Sequence, residues 1–281
     1  AMAALVAGFS DDGRGVQDRD LMHEAMLRCK EAGSIIVEHC EVNSLLRGGY
    51  IHDGEYARMH GHKGICSESE WREVERNIEL AALTGCRLHI CHISTKESVE
   101  LVRQAKKSHL PVTGETGPHY LLLTDMDLHE DGAWKMNPPL RSASDRDALL
   151  EGLEDGSLDC IATDHAPHSD EEKSRGLAGS CMGIVGLETA FPLLYTYLVK
   201  KGLMSFDNLM RAMAYRPREI MSLSAEGNTS TWDLDEEYVI DPSRFISKGH
   251  ATPFAGWKVN GRCLENIYQG KSVWRIDRRQ A

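Results

Sequence analysis

The strongest constraint on the fold is an alternation of short apolar segments with amphipathic segments along most of the chain. Short apolar segments that are each followed by apolar residues at helical spacing are typical of βα units, and therefore of a parallel sheet. We predict five such strands, at residues 5–9, 34–37, 86–91, 112–115 and 158–163. A chain built in this way belongs to the α/β class.

Sequence signals for helix starts appear twice in the first half of the chain. Ser67 with Glu70, and Ser94 with Glu97, match the spacing of a capping box. The first of these boxes predicts a helix whose buried stripe is Trp71, Val74, Ile78 and Ala82. Residues 42–67 lie before it and are expected to form a long connection.

Composition excludes several classes of protein. The 281 residues include 32 basic and 43 acidic side chains, giving a formal charge of −11. The sequence has no Lys/Arg-rich patch, so we expect no nucleic-acid partner. The eight cysteines show no C-x-x-C spacing, and most lie in apolar surroundings, which indicates buried free thiols. No signal peptide or membrane span is apparent, so we expect a cytoplasmic protein with no membrane partner.

The pattern changes at about residue 227. Beyond this point short β-like pieces, at residues 237–240, 257–259 and 269–274, replace the long amphipathic segments. We therefore predict two domains, an incomplete barrel domain at 1–226 and part of a small β domain at 227–281.

Four residues that can bind metals follow the predicted strands in chain order: Asp12, His39, His92 and Asp164. In parallel α/β barrels the carboxyl ends of the strands carry the active site. Imidazole and carboxylate together suit Zn²⁺ or a similar divalent ion, which activates water and polarises carbonyls. A neighbouring carboxylate transfers protons. The set predicts metal-dependent amide hydrolysis.

Each of these residues also has a structural interpretation. Asp12 fits a turn, Asp164 fits a helix N-cap, and single histidines at strand ends are often only hydrogen-bonded. His60 and His62 form an H-x-H pair, but they lie away from the strand ends, so we interpret them as solvated loop residues. His89 precedes His92 on the same strand and is expected to be structural.

Seven stretches of the chain resemble bacterial dihydroorotases of the type in which an aspartate, rather than a carboxylated lysine, bridges the metals. Together they span most of residues 5–222. The most specific of them are residues 136–141 and 162–168. The stretches are residues 9–17 (FSDDGRGVQ), 38–41 (EHCE), 48–56 (GGYIHDGEY), 89–96 (HICHISTK), 136–141 (MNPPLR), 162–168 (ATDHAPH) and 182–188 (MGIVGLE).

The resemblance implies a role for each matching position. Asp12 corresponds to the bridging carboxylate, His39 and His92 to ligands of the second metal, and Asp164 to a ligand of the first metal and the general acid/base. Asn137 and His168 match positions that hold the substrate ring and its carboxylate. The implied reaction interconverts N-carbamoyl-L-aspartate and L-dihydroorotate with one or two Zn²⁺ ions. A homodimer or aspartate carbamoyltransferase is the implied protein partner.

The chain departs from the family pattern at its beginning. The family's first strand carries an H-x-H pair and then an arginine for the substrate carboxylate, and nothing before Leu5 supplies them. We therefore expect the last five strands of a (β/α)8 TIM-type barrel with a small C-terminal β appendage, and little activity from these 281 residues alone. Two alternatives stay open: a related cyclic amidohydrolase such as an allantoinase or hydantoinase, or a non-catalytic dihydroorotase-like subunit of aspartate carbamoyltransferase.

Overall fold

A computed structural model describes residues 2–276 and shows strands of three sheets. The strands are β1 (Phe9–Ser10), β2 (Ile35–Glu38), β3 (Ile51–His52), β4 (Gly64–Ile65), β5 (Arg87–Ile90), β6 (Val112–Thr116), β7 (Cys160–Ile161), β8 (Thr229–Val239), β9 (Lys258–Tyr268) and β10 (Lys271–Arg275). Each of the five predicted strands corresponds to one strand of the largest sheet.

The largest sheet is parallel throughout and has the order β1-β2-β5-β6-β7. This confirms the predicted parallel fold. The first strand is shorter than expected, because only Phe9 and Ser10 pair with β2, whereas Leu5 lies in a 3-10 turn and is 84% exposed. The last strand is also short. Hydrogen bonds from the amides of Asp159 and Ala162 to β6 nevertheless extend its pairing.

Helices follow most of these strands, as expected for βα units. They are α1 (Arg19–Glu31), α2 (Asn43–Leu46), α3 (Glu55–His60), α4 (Glu68–Thr84), α5 (Lys96–Lys107), α6 (Pro118–Leu122), α7 (Ala143–Glu154), α8 (Asp170–Lys173), α9 (Gly176–Gly179), α10 (Ala190–Leu194), α11 (Phe206–Met210) and α12 (Arg216–Met221). Segments of π-helix extend α10 and join α11 to α12. The predicted long connection at 42–67 lies between β2 and α4 and contains the short elements α2, β3, α3 and β4.

The buried face of α4 differs from the predicted apolar stripe. Val74 is fully buried, but Ala82 is exposed, and Trp71 and Ile78 are only partly covered. Polar side chains instead occupy much of the buried face, including Glu70 and Asn77. Hydrophobic periodicity missed this face because its polar groups find their partners on other elements, which makes their burial tolerable.

Both predicted capping boxes are absent from the structure. Ser67 makes no side-chain cap, and Glu70 binds the segment after β5 instead of the start of its own helix. The N-cap of α5 is Thr95, whose side chain accepts a hydrogen bond from the amide of Ser98. In both cases a tertiary contact of Glu70 replaced the local interaction that the spacing suggested.

The C-terminal strands form an antiparallel sheet with the order β10-β9-β8. Two of them have eleven residues each, considerably more than the short pieces predicted there. Irregularities between Thr231 and Trp232, and between Asp233 and Glu237, interrupt the pairing of β8 with β9. Within residues 2–276, none of the helices combines the length and apolar character needed to cross a membrane.

Candidate active site

Three of the predicted ligands converge at the carboxyl ends of neighbouring strands. His39 follows β2 directly, and Asp12 and His92 each lie two residues beyond β1 and β5. Their ligand atoms lie within 4.8 Å of one another. The Nδ1 atom of His39 is 2.9 Å from the Nε2 atom of His92, and both rings are buried. Adjacent parallel strands therefore bring together residues that are far apart in sequence.

Asp11 holds the first two strand ends in place. One of its carboxylate oxygens accepts a hydrogen bond from the amide of His39 at 3.0 Å, and the other accepts from the amide of Val16 at 2.9 Å. The segment after β1 is thereby tied to the end of β2. Asp12, next in the chain, is exposed and its carboxylate is left available to a ligand.

Hydrogen bonds to α4 hold the segment that carries His92. Glu70 accepts hydrogen bonds from the amides of Ser94 and Thr95, each at 3.0 Å, and from the hydroxyl of Ser98 at 2.8 Å. Arg141 donates to the hydroxyl of Ser94 and lies 3.8 Å from Glu70. Since Glu70 and Arg141 are both buried, this network gives the segment a defined position.

The backbone at two of the candidate residues is unusual. His92 has a φ of +38° and Asp164 a φ of +47°, both in the left-handed region that L-residues seldom occupy. Such conformations persist where surrounding contacts enforce them and are concentrated at functional sites. The two positive angles support a functional interpretation of these two strand ends.

Asp164 lies three residues beyond β7, outside the group of three ligands that converge. Burial raises the pKa of its carboxyl, with an opposing effect from His92 and a further increase from the charge of Asp12. The N-cap interpretation of Asp164 is wrong, because α8 begins at Asp170 with Ser169 as its cap. A buried carboxyl with a raised pKa is suited to proton transfer.

Asn137 and His168 contact different parts of the chain. Asn137 donates a hydrogen bond to Glu41 at 2.9 Å, while its own Oδ1 is buried without a hydrogen-bond partner among residues 2–276. His168 contacts the carbonyl of Met182 at 2.8 Å through Nε2 and lies 3.6 Å from Glu172 through Nδ1. The structure thus places Asn137 next to the converging ligands, whereas the contacts of His168 are with the 170–182 segment.

The charge around the histidines favours a bound cation. Burial lowers the pKa of His39, but Glu41, Asp12 and Asp11 outweigh it, so the pKa lies above its ordinary value. Burial and the charge of Asp11 raise the pKa of Glu38 to about 8. Several carboxyl groups therefore compete for protons in one buried region, a situation that a divalent ion relieves.

The donor set and its environment fit a divalent metal. Two imidazole nitrogens and one carboxylate are the ligand types that zinc prefers in catalytic sites, with a further position left for water or substrate. The Nε2 atom of His39 is buried and has no hydrogen bond within the described part of the chain.

The other histidines that the sequence singled out have partners of their own. His60 ends α3 and stacks on Tyr56, so it is not a loop residue. His62 contacts Tyr50 and Glu130 and is partly buried, which contradicts its interpretation as solvated. His89 is buried against Thr113 and Glu115.

Sequence reasoning missed the roles of two carboxylates, Glu41 beside His39 and Glu70 beside the segment that follows His92. Glu41 follows His39 by two residues, and Glu70 was predicted only as part of a capping box. The only local signal for Glu41 was its place in the stretch 38–41. Glu70 had none that pointed to the site.

The chain is similar in sequence to dihydroorotases. A family model described as dihydro-orotase-like matches residues 2–98. Dihydroorotases of Geobacillus sp. (strain WCH70) and Bacillus caldolyticus are each 48% identical over 278 residues, which is 96% of this chain and 65% of the relative. The chain thus spans about 65% of the length of these curated relatives.

Solved structures share the fold. The L-hydantoinase (dihydropyrimidinase) from Arthrobacter aurescens is 28% identical, with a TM-score of 0.82 over 96% of this chain and 63% of its own. A D-hydantoinase (dihydropyrimidinase) from Thermus sp. is 20% identical, with a TM-score of 0.82 over 96% of this chain and 64% of its own. At 20% identity the likeness to the Thermus structure supports the fold alone.

Proposed function

We propose that the chain belongs to the dihydroorotase family and carries most of a metal-dependent site that interconverts N-carbamoyl-L-aspartate and L-dihydroorotate. The convergence of Asp12, His39 and His92 is the observation that carries this proposal. Zinc is the proposed ion, because two imidazoles and a carboxylate match its preferred ligands. The identity to dihydroorotases, 48%, exceeds the 28% to a hydantoinase structure and favours this substrate.

In this proposal some residues bind the substrate and another transfers protons. The chemistry that zinc supplies when bound is Lewis-acid polarisation of the substrate carbonyl and acidification of water. Asn137 and His168 hold the ring and its carboxylate. Asp164 accepts a proton from the attacking water and returns it to the ring nitrogen as the carbon–nitrogen bond breaks. In the reverse direction the same carboxylate takes the proton from that nitrogen.

Substrate comparison tests this function. The zinc-loaded protein is incubated separately with L-dihydroorotate, hydantoin and allantoin, and both turnover and equilibrium binding are measured. We expect binding or turnover of L-dihydroorotate only. Preference for hydantoin or allantoin would identify a related amidohydrolase. The absence of both metal uptake and ligand binding would indicate a non-catalytic subunit. The homodimer and the aspartate carbamoyltransferase partner stay predictions.

Replacement of His39 by alanine tests the metal site. We expect the parent to bind about one zinc ion tightly and the variant to bind it about 10²–10³-fold more weakly. Structural zinc sites bind with about 10–16 kcal/mol shared among four ligands, so one ligand accounts for several kcal/mol. Competition with a chromophoric chelator measures the dissociation constants.

The matched control for this variant is His60→Ala, which removes an imidazole that lies on α3 rather than among the three ligands. Zinc affinity should stay within about twofold of the parent in this control, since the ligand set is intact. Full zinc retention in His39→Ala, or two tightly bound equivalents in the parent, would contradict the assignment.

A further inference from the structure

The two ring nitrogens of His39 lie in different surroundings. Nδ1 is 2.9 Å from the Nε2 atom of His92, on the side where the ligands converge. Nε2 is directed away from this contact, is buried, and has no hydrogen bond among the residues described. A carboxylate oxygen of Glu41 lies 3.6 Å from it, beyond hydrogen-bond distance but without an intervening partner in the described chain.

If His39 binds a metal through Nδ1, its Nε2 carries a proton and requires a hydrogen-bond acceptor. An imidazole that ligates through one nitrogen carries its proton on the other, and a buried N–H without an acceptor costs about 1–3 kcal/mol. Metal-bound histidines accordingly donate this N–H to a carboxylate, a carbonyl or water in most sites. Glu41, with a side chain that is only 14% exposed, is the carboxylate in position to accept it.

We propose that Glu41 is a positioning residue, which accepts the Nε2–H of His39 and joins this metal ligand to Asn137. Its second carboxylate oxygen already accepts a hydrogen bond from Asn137 at 2.9 Å. One side chain therefore orients a metal ligand and a substrate-side amide together. The inference rests on the metal site of the proposed function and extends it to a residue outside the ligand set.

Glu41 is a poor candidate for a ligand in its own right. It lies on the Nε2 side of His39, whereas the group of converging ligand atoms consists of Asp12, His39 and His92. Its contact with Asn137 also occupies one oxygen, leaving the other for the imidazole. A role through His39 accounts for both contacts, whereas direct ligation accounts for neither.

Glu41→Gln is the decisive variant because it keeps the shape of the side chain and removes its charge. An amide is a weaker acceptor for the imidazole N–H, so zinc should bind about 10–100-fold more weakly, the usual effect of losing such a partner. Glu41→Asp retains a carboxylate and should recover part of the affinity. Asp207→Asn removes the same charge from an exposed position on α11 and should leave zinc affinity within about twofold.

Cobalt substitution provides a readout that a purely structural role would not change. The visible absorption of the Co²⁺ protein depends on the basicity of its imidazole ligands, so its bands should shift in Glu41→Gln and not in Asp207→Asn. Circular dichroism monitors the fold of each variant. Unchanged zinc affinity and an unchanged cobalt spectrum in Glu41→Gln would overturn the inference and leave the metal site intact. Failure of the parent protein to bind metal would overturn both the proposed metal site and the role of Glu41.

Discussion

Replacing Asp164 by asparagine is expected to lower the turnover of L-dihydroorotate by about 10²–10⁴-fold with little change in the fold. An amide cannot carry the proton from the attacking water to the ring nitrogen, and positioned acid–base groups contribute about this factor. Burial raises the pKa of this carboxyl, so the neutral amide costs the folded protein little. Turnover is measured at saturating substrate.

The chain spans about 65% of the length of its curated relatives, and little activity is expected from these 281 residues alone. The variants are therefore compared in a fusion that supplies the remaining part of the Geobacillus dihydroorotase. Zinc content is determined in each sample, since Asp164 is also a proposed ligand. Asp207→Asn is the charge-matched control. A loss smaller than about tenfold at equal zinc content would remove Asp164 from proton transfer.

Replacing Glu70 by alanine is expected to lower the free energy of unfolding by about 3–5 kcal/mol. The change leaves the donors of Ser94, Thr95 and Ser98 without their acceptor, and it leaves the buried guanidinium of Arg141 without a counter-charge. Removing one partner of a buried ion pair costs about this amount. Chemical denaturation followed by circular dichroism measures it.

Glu68→Ala is the matched control for this prediction, because Glu68 begins the same helix but has a partly exposed side chain that pairs with Arg72 at the surface. Its effect should be below about 1 kcal/mol, as for other exposed ion pairs. The double variant Glu70→Leu/Arg141→Met should recover part of the loss, since it leaves no unpaired buried charge. Equal stability of Glu70→Ala and Glu68→Ala would show that the network contributes little.

The positions of the strands along the chain and the residues at their ends followed from the sequence. Each strand is a local apolar segment, and the rule that parallel strands end at one edge of the sheet does not require knowledge of the contacts. This rule therefore predicts Asp12, His39 and His92 as site residues. The division into domains at 1–226 and 227–281, the zinc identity and the site roles stay predictions.

The surroundings of these residues could not be predicted in the same way. The spacing of Ser67 and Glu70 matched a capping box, yet Glu70 binds residues 94–98, which lie on a different βα unit. Apolar periodicity assigned the wrong stripe to α4, because it counts every polar residue as exposed. A buried polar residue is stabilised by partners that only the packed structure supplies.

The sequence by itself determined the parallel α/β fold, the positions of its strands along the chain, and the residues that follow them, because these depend on patterns within a few consecutive residues. The tertiary structure alone decided which of those residues meet. His39 and His92 are 53 positions apart, and Glu41 and Asn137 are 96 apart, so their contacts depend on strand order and register rather than on local spacing. The same packing left Asp164 outside the converging ligands and placed Glu41 behind His39.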